Sequence, residues 1–99
     1  MARISYAGQA LADLERISDF LVENGQDALA ALYLIDEAIA ILLRHPFIGR
    51  QVESSLRELV ISQGKTGYVA LYSIEAEYDA ILVLAGRHQR EAGWNVPLF

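Results

Sequence analysis

The stretch from Leu56 to Ala85, LRELVISQGKTGYVALYSIEAEYDAILVLA, determines the fold class of this chain. It contains three short runs rich in β-branched, aromatic and other apolar residues, at 56–61, 68–74 and 78–85. Such runs are typical of strands, and the short linkers between them join neighbouring antiparallel strands. The third run is almost continuously apolar after Asp79, as expected of a central strand. The stretch therefore predicts an antiparallel β-meander.

The residues before the meander have the spacing of helices. Apolar side chains recur every three or four residues from about Gln9 to Glu23, and Asn24-Gly25 supplies a left-handed stop. Asp27 can cap a second helix that runs to about Arg44 and is apolar around most of its circumference, so it has to be covered on two sides. We predict an α+β fold, in which an N-terminal antiparallel helical hairpin packs on a small antiparallel sheet of three strands, or four if residues 3–6 pair.

Length and composition limit the classes of protein to which the chain can belong. Its 99 residues, 54% of them hydrophobic, suit a single domain at 1–99, with the hairpin at about 9–44, the meander at about 56–85 and a tail without regular structure at 86–99. No uncharged apolar run is long enough to span a membrane, and the sequence has no cysteine and no apolar leader. We therefore expect a cytoplasmic protein.

Charge is distributed unevenly along the chain. Residues 1–43 carry two basic and seven acidic side chains, whereas the six basic and six acidic side chains of 44–99 balance, so the net charge of -5 comes from the first part. This charge argues against unaided affinity for nucleic acid, which depends mostly on phosphate neutralisation. The acidic residues of the helices are predicted to form the solvated outer face of the hairpin: Asp13, Glu15, Asp19, Glu23, Asp36 and Glu37.

The sequence contains no motif for nucleotide binding, for an acyl-enzyme nucleophile or for zinc, and its two histidines are too few for a histidine-rich metal site. We expect no cofactor and no metal. The densest polar cluster outside the helices, Arg87-His88-Gln89-Arg90-Glu91, directly follows the third strand. Two interpretations stay open. The cluster binds phosphate or carboxylate groups, or its arginines form ion pairs at the sheet edge with acidic residues, Glu53, Glu58 or Glu91.

Three further residues are candidates for binding. Arg50 follows the turn after the second helix, and Arg57 lies on the first strand of the meander, where a surface pair with Glu58 would contribute little. Trp94 is the only tryptophan and is followed by further apolar residues. It offers more apolar surface than a small domain usually leaves in water, so it either folds back on the core or binds a partner.

The order of these elements and several local strings resemble the ParE branch of the RelE/ParE toxins over nearly the whole chain. The strings are the hairpin start Ala10–Leu14, the turn Pro46–Arg50, the strand segments Leu56–Leu59 and Tyr68–Tyr72, and the segment Arg87–Gly93. The resemblance implies the toxin of a type II toxin-antitoxin module, of the plasmid-stabilisation kind, in a hetero-oligomer with a ParD-like antitoxin. Toxins similar to ParE poison DNA gyrase, whereas the RelE-like branch cleaves messenger RNA on the ribosome.

The antitoxin implied by this resemblance has two possible modes of binding. It lies as a helix in the groove of the hairpin, or it adds a strand to the sheet edge near Leu56–Ile61. Arginines at the interface would then meet acidic antitoxin side chains, so a positive cluster need not indicate nucleic acid.

One position helps to choose between the two branches. RelE-like nucleases often carry an arginine after the tyrosine that begins the middle strand, and this chain has Val69 there. Together with the net charge, this favours gyrase inhibition, which is a binding activity without a chemical step, with a contact around Arg87–Trp94.

Two alternatives to gyrase inhibition stay open. A metal-independent endoribonuclease would have to stabilise phosphate charge and move the proton of a 2′-hydroxyl with four residues: Arg57, Arg87, His88 and Arg90. An inactive protein-binding module of the same fold would not arrest growth. We expect six residues to contact partner proteins: Arg50, Arg57, Arg87, His88, Arg90 and Trp94.

Overall fold

The sheet of this protein has five strands, and both α-helices pack on one of its faces. The computed structural model describes residues 1–63, 66–91 and 94. In chain order the elements are β1 (Arg3–Tyr6), α1 (Gly8–Glu23), α2 (Ala28–Ala40), a 3₁₀ turn (Ile41–Leu43), β2 (Arg50–Glu53), β3 (Leu56–Gln63), β4 (Thr66–Glu75), a second 3₁₀ turn (Ala76–Tyr78) and β5 (Ala80–His88). The strand order is β1-β5-β4-β3-β2. The predicted α+β class is confirmed.

The two helices begin and end close to the predicted positions. Asp27 caps α2 by accepting a hydrogen bond from the amide of Ala30 at 3.0 Å, and Gly25, with φ of 68°, follows α1 as the left-handed residue. The α-helical part of the second element ends at Ala40, before the predicted Arg44, because the next three residues tighten into the 3₁₀ turn. Among the described residues, no helix is long and apolar enough to cross a membrane.

The hydrophobic core lies between the helices and one face of the sheet. It combines residues of α1 and α2 with strand residues of the same face, among them Ile17, Ile35, Ile39, Leu59, Ile61, Tyr68, Tyr72, Ile81 and Val83. We call the opposite side of the sheet the open face. The register places two rows of side chains across that face: Glu58, Leu71 and Ala85 in one row, and Val60, Val69 and Arg87 in the next.

The sheet is larger than predicted at both edges. Residues 3–6 do pair, but parallel to β5, with Arg3 opposite Ala80. This is possible because almost the whole chain lies between β1 and β5, and parallel neighbours need a long connection. At the other edge, β2 has no recognisable period of two, since it is short, mostly polar and interrupted by a bulge between Gln51 and Glu53. The sheet is therefore mixed and five-stranded, which corrects the prediction of three or four antiparallel strands.

The last strand lies further along the chain than predicted. Its start is displaced because Tyr78 ends a 3₁₀ turn and Asp79 adopts a left-handed φ of 49°. Its end extends through Gly86, Arg87 and His88, which the sequence assigned to the irregular tail, because β4 is long enough to pair with all three. The rest of the predicted tail, 92–93 and 95–99, and the centre of the β3–β4 linker, 64–65, lie outside the described residues.

Candidate functional site

The polar cluster Arg87–Glu91 is divided between the two faces of the sheet. Arg87 lies opposite Val69 on β4 and His88 lies opposite Tyr68, and successive side chains of a strand point to opposite faces. Arg87 is therefore on the open face. His88 is on the helix side, where its ring meets Tyr68 edge to face with 5.6 Å between the ring centroids. A small ligand on one face cannot contact both side chains.

On the open face, four side chains form what we call the Arg87–Trp94 cluster: Arg87, Trp94, Glu58 and Arg50. The guanidinium carbon of Arg87 lies 4.9 Å from the centroid of the Trp94 ring. The indole N–H of Trp94 donates to Glu58 Oε2 at 2.7 Å, and Arg50 donates to Glu58 Oε1 at 2.9 Å. Trp94 does not join the core between the helices and the sheet, because its ring lies on the open face against Arg87 and Glu58.

Backbone carbonyl groups hold the Arg87 guanidinium in place. Its Nη1 donates to the carbonyl oxygens of His88 and Gln89 and, at 2.8 Å, to that of Glu91. Its Nε is buried and has no hydrogen-bond partner within the described part of the chain. Two of the three carboxylates predicted as partners of the arginines in this segment are engaged elsewhere, since Glu58 binds Arg50 and Glu91 binds Arg16 at 2.7 Å. The third, Glu53, is exposed and forms no ion pair with any described residue.

Glu58 is the electrostatic centre of the Arg87–Trp94 cluster. Burial alone would raise the pKa of its carboxyl group. The hydrogen bonds from Trp94 and Arg50, with the charges of Arg50 and Arg87, outweigh burial and lower this pKa below its usual value of 4.5. The carboxylate therefore stays ionised at neutral pH and offsets the charge of the two arginines. The cluster thus presents an aromatic and hydrogen-bonding surface more than a strongly cationic one.

Acidification is expected to release Trp94 from Glu58. A carboxyl group whose pKa is lower in the folded state stabilises the fold above its ordinary pKa, and this contribution is lost as the pH falls through the folded value. The fluorescence of Trp94, the single tryptophan, should therefore change below about pH 4.5. A Glu58→Gln variant should lose most of this acid transition, whereas Glu53→Gln, which removes an exposed carboxylate on β2, should keep it. The same titration in wild type and Glu58→Gln would contradict this role of Glu58.

The helix side of the same strand end contains a cleft of about 540 Å³ between α1 and β5. Apolar and charged side chains line it, among them Ile17, Phe20, Leu21, Tyr68, Arg16, His88, Arg90 and Glu91. Glu91 Oε1 accepts hydrogen bonds from Arg16 and, at 3.2 Å, from the amide of His88. Burial would raise the pKa of Glu91, but these bonds and the charge of Arg16 lower it. His88 Nδ1 accepts the amide of Arg90 at 3.1 Å, so the neutral ring carries its proton on Nε2.

Asp13 lies inside the protein, contrary to the prediction that it belongs to the solvated face of the hairpin. Its exposed fraction is 5%. Its Oδ2 accepts the amide of Gly86 at 2.9 Å, its Oδ1 accepts a hydrogen bond from Gln9 at 2.9 Å, and Arg16 lies 3.7 Å away. Asp13 thereby links α1 to the strand end that carries Arg87. The other five acidic residues of that predicted face are exposed.

Arg57 lies on the helix side, against the connection between α2 and β2. Its Nη1 donates to the carbonyl oxygen of Gly49 at 2.7 Å, and its guanidinium carbon is 5.0 Å from the centroid of the Phe47 ring. The buried hydroxyl of Tyr72 donates to the carbonyl oxygen of Pro46 at 2.7 Å and accepts the amide of Gly49 at 2.9 Å. Burial raises the pKa of Tyr72, so this hydroxyl keeps its proton. We call residues 46–49 the anchored turn.

The six predicted site residues therefore occupy three separate places. Arg50, Arg87 and Trp94 meet in the Arg87–Trp94 cluster, His88 and Arg90 line the cleft, and Arg57 supports the anchored turn. The cross-strand partners of Arg57 and His88 lie four residues apart on β4, a separation of about 13 Å along the strand. Within residues 1–63, 66–91 and 94, the four residues proposed for a nuclease do not converge on one point.

Four residues that organise these places are not apparent as site residues from the sequence: Asp13, Arg16, Glu58 as the centre of a cluster, and Tyr72 as the anchor of the turn. The alternation of a strand would have separated Arg87 from His88 if the strand had been extended to residue 88. The contact of Asp13 with Gly86 joins residues 73 positions apart and has no local signal in the sequence.

The sequence of this chain matches a known protein family. Residues 4–93 match the family described as "ParE toxin of type II toxin-antitoxin system, parDE". The chain is 29% identical over 92 residues to "Toxin RelE3" of Caulobacter vibrioides, an alignment that covers 92% of this chain and 98% of that protein.

Two solved structures share the fold. The structure titled "Crystal structure of the intact E. coli RelBE toxin-antitoxin complex" matches with a TM-score of 0.60 and 13% identity, covering 92% of this chain and 96% of the matched one. The "metal-bound toxin from Helicobacter pylori" matches with a TM-score of 0.52 and 16% identity, covering 94% of this chain and all of the other. At these identities the two matches are evidence for the fold alone.

Proposed function

This chain belongs to the ParE family of toxins from type II toxin-antitoxin systems, and we propose that it inhibits DNA gyrase through the Arg87–Trp94 cluster. The observation that carries the proposal is the stacking of Arg87 on Trp94, with Glu58 binding the indole N–H. Tryptophan and arginine are the side chains most enriched at the energetic centres of protein interfaces. Because both are already ordered here, little side-chain entropy would be lost when gyrase binds.

The position of the candidate catalytic groups favours binding over RNA cleavage. A metal-independent nuclease needs a proton-transfer group and cations around a single phosphate. In this chain His88 and Arg87 point to opposite faces, and Arg57 is near the other end of the sheet. Val69 lies directly opposite Arg87, so the neighbouring position on the open face holds an apolar side chain instead of a second cation. The net charge of -5 also disfavours a polyanionic substrate.

The second part of the proposal is a ParD-like antitoxin that neutralises this toxin. Support comes from the large apolar side chains that helix α1 exposes: Leu11, Phe20 and Val22. Large apolar side chains on the surface of a helix are the kind of anchor that a helix-in-groove partner covers. The alternative mode, in which the antitoxin adds a strand beside Leu56–Ile61, has a shorter edge available than the sequence indicates. β2 already pairs with Leu56–Glu58, so an added strand could pair with β3 only from Leu59 onwards.

Supercoiling by purified gyrase, measured with and without this protein freed of its antitoxin, tests the first part. An in vitro translation assay on the same preparation is the matched comparison. We expect loss of supercoiling with translation intact. Cleaved messenger RNA and arrested translation would instead support the RelE-like alternative, and no effect on either process would support an inactive binding module.

A further inference from the structure

The anchored turn exposes two large apolar side chains in succession. Phe47 is 68% exposed and Ile48 is 59% exposed, although they lie between the well-buried Leu42 and Gly49. Together with Arg44, His45 and Pro46 they line one open depression on the surface. Neither side chain contributes to the core between the helices and the sheet. Packing among the residues that the structure describes therefore does not account for their exposure.

The backbone of this turn is held more tightly than an exposed loop requires. The Tyr72 hydroxyl binds the turn at both ends, through the carbonyl oxygen of Pro46 and the amide of Gly49. Arg57 adds hydrogen bonds to the carbonyl oxygens of Gly49 and Phe47, and its guanidinium lies over the Phe47 ring. The apolar surface is thus presented in one fixed shape. A surface ordered in advance loses little conformational entropy on binding.

The charges around the turn indicate what kind of partner fits it. Between residues 41 and 52 the only arginine, lysine, aspartate or glutamate side chains are those of Arg44 and Arg50, and both residues are exposed. Arg50 pairs with Glu58, whereas Arg44 forms no ion pair with any residue that the structure describes. Residues 1–43, by contrast, carry seven acidic and two basic side chains. An acidic segment would be repelled by the outer face of the hairpin and attracted to the anchored turn.

We infer that the anchored turn, with Arg44 beside it, is a docking site for an acidic segment of the antitoxin that carries apolar side chains. This inference rests on the antitoxin partner proposed above and adds where and by what chemistry one segment of it binds. Apolar side chains of the segment cover Phe47 and Ile48, and one of its carboxylates pairs with Arg44. The site lies on the α2–β2 connection, so its loss leaves the stacked pair Arg87 and Trp94 in place.

The test is calorimetric titration of the full chain with the antitoxin encoded in the same module. The double variant Phe47→Ser/Ile48→Ser should bind about tenfold more weakly or worse, since two apolar anchors are lost. The control Leu29→Ser/Tyr33→Ser removes two side chains of similar exposure, 78% and 66%, from the acidic hairpin and should stay within about twofold of wild type. Circular dichroism confirms that both variants are folded.

A charge variant makes the test independent of the apolar substitutions. Arg44→Glu should weaken binding and reduce its dependence on salt, since an attractive rim charge is reversed. Unchanged affinity of both the double variant and Arg44→Glu, or equal losses in the double variant and its hairpin control, would overturn the inference while leaving the antitoxin proposal intact. Failure of the wild-type chain to bind the antitoxin would overturn both. Gyrase inhibition by the double variant should equal that of wild type.

Discussion

The free energy of unfolding of a Gly49→Ala variant should be about 2–3 kcal/mol lower than that of wild type, because an added methyl group overpacks a site that is already filled. A Cβ atom at position 49 would lie 2.8 Å from the carbonyl oxygen of Glu58, and 2.5 and 2.7 Å from the hydroxyl and a ring carbon of Tyr72. The obstacles cannot easily move. One is the backbone of β3, and the other is a fully buried ring whose hydroxyl is bonded to the turn on two sides.

Urea denaturation followed by far-ultraviolet circular dichroism measures this effect, and the melting temperature should fall by roughly 10–20 °C for a domain of this size. Gly8→Ala is the matched control. No atom lies within 4 Å of a Cβ at position 8, which is the first residue of α1, so stability should be unchanged or slightly higher. Equal stability of Gly49→Ala and Gly8→Ala would show that the turn is not anchored as described.

An Arg87→Glu variant should inhibit gyrase about 30-fold less well than wild type or worse, the loss expected for an interface hot spot. The change removes the guanidinium stacked on Trp94 and puts a second carboxylate near Glu58, so the surface proposed to contact gyrase loses its shape and its charge balance. Arg87→Lys keeps the charge but lacks the planar group, and it should recover only part of the inhibition.

Arg3→Glu is the control for charge, because it makes the same reversal at an exposed position on the edge strand β1. It should inhibit supercoiling as wild type does. Arg90→Glu separates the two sides of the strand end, since Arg90 lines the cleft rather than the open face. Full inhibition by Arg87→Glu, with the fold intact by circular dichroism, would remove the Arg87–Trp94 cluster from the proposed gyrase contact. Lost inhibition by Arg90→Glu alone would move that contact to the cleft.

The regular parts of the fold are predictable from sequence because their signals are local. The helix ends follow from Asp27 and Gly25, and the strands β3 and β4 follow from runs of β-branched and aromatic residues. The parallel pairing of β1 has no such signal, because it depends on where the rest of the chain returns. β2 is not predicted either, because its short and mostly polar sequence cannot be distinguished from that of a loop.

The sequence identifies most residues of the candidate site but not which of them are in contact with one another. Arg87, Arg50 and Trp94 are prominent in sequence because cations and a lone tryptophan near a strand end attract attention. Their common partner Glu58 is an ordinary acidic residue whose importance arises from the pairing of β2 with β3, which puts Arg50 opposite it. Asp13 was assigned to the wrong environment because its helical position is compatible with solvent, and only the arrival of Gly86 from β5 explains its burial.

The place of β5 in the sheet has a consequence for the timing of toxicity during protein synthesis. β5 lies between β1 and β4, yet the ribosome makes it after every other helix and strand described. Until it emerges, β1 has no neighbour, α1 lacks the strand on which it packs, and Arg87 does not yet exist. Pairings between such distant parts of a chain form late in folding. Fragments from interrupted translation should therefore be harmless to the cell, because the toxin becomes active only once nearly the whole chain has been synthesised.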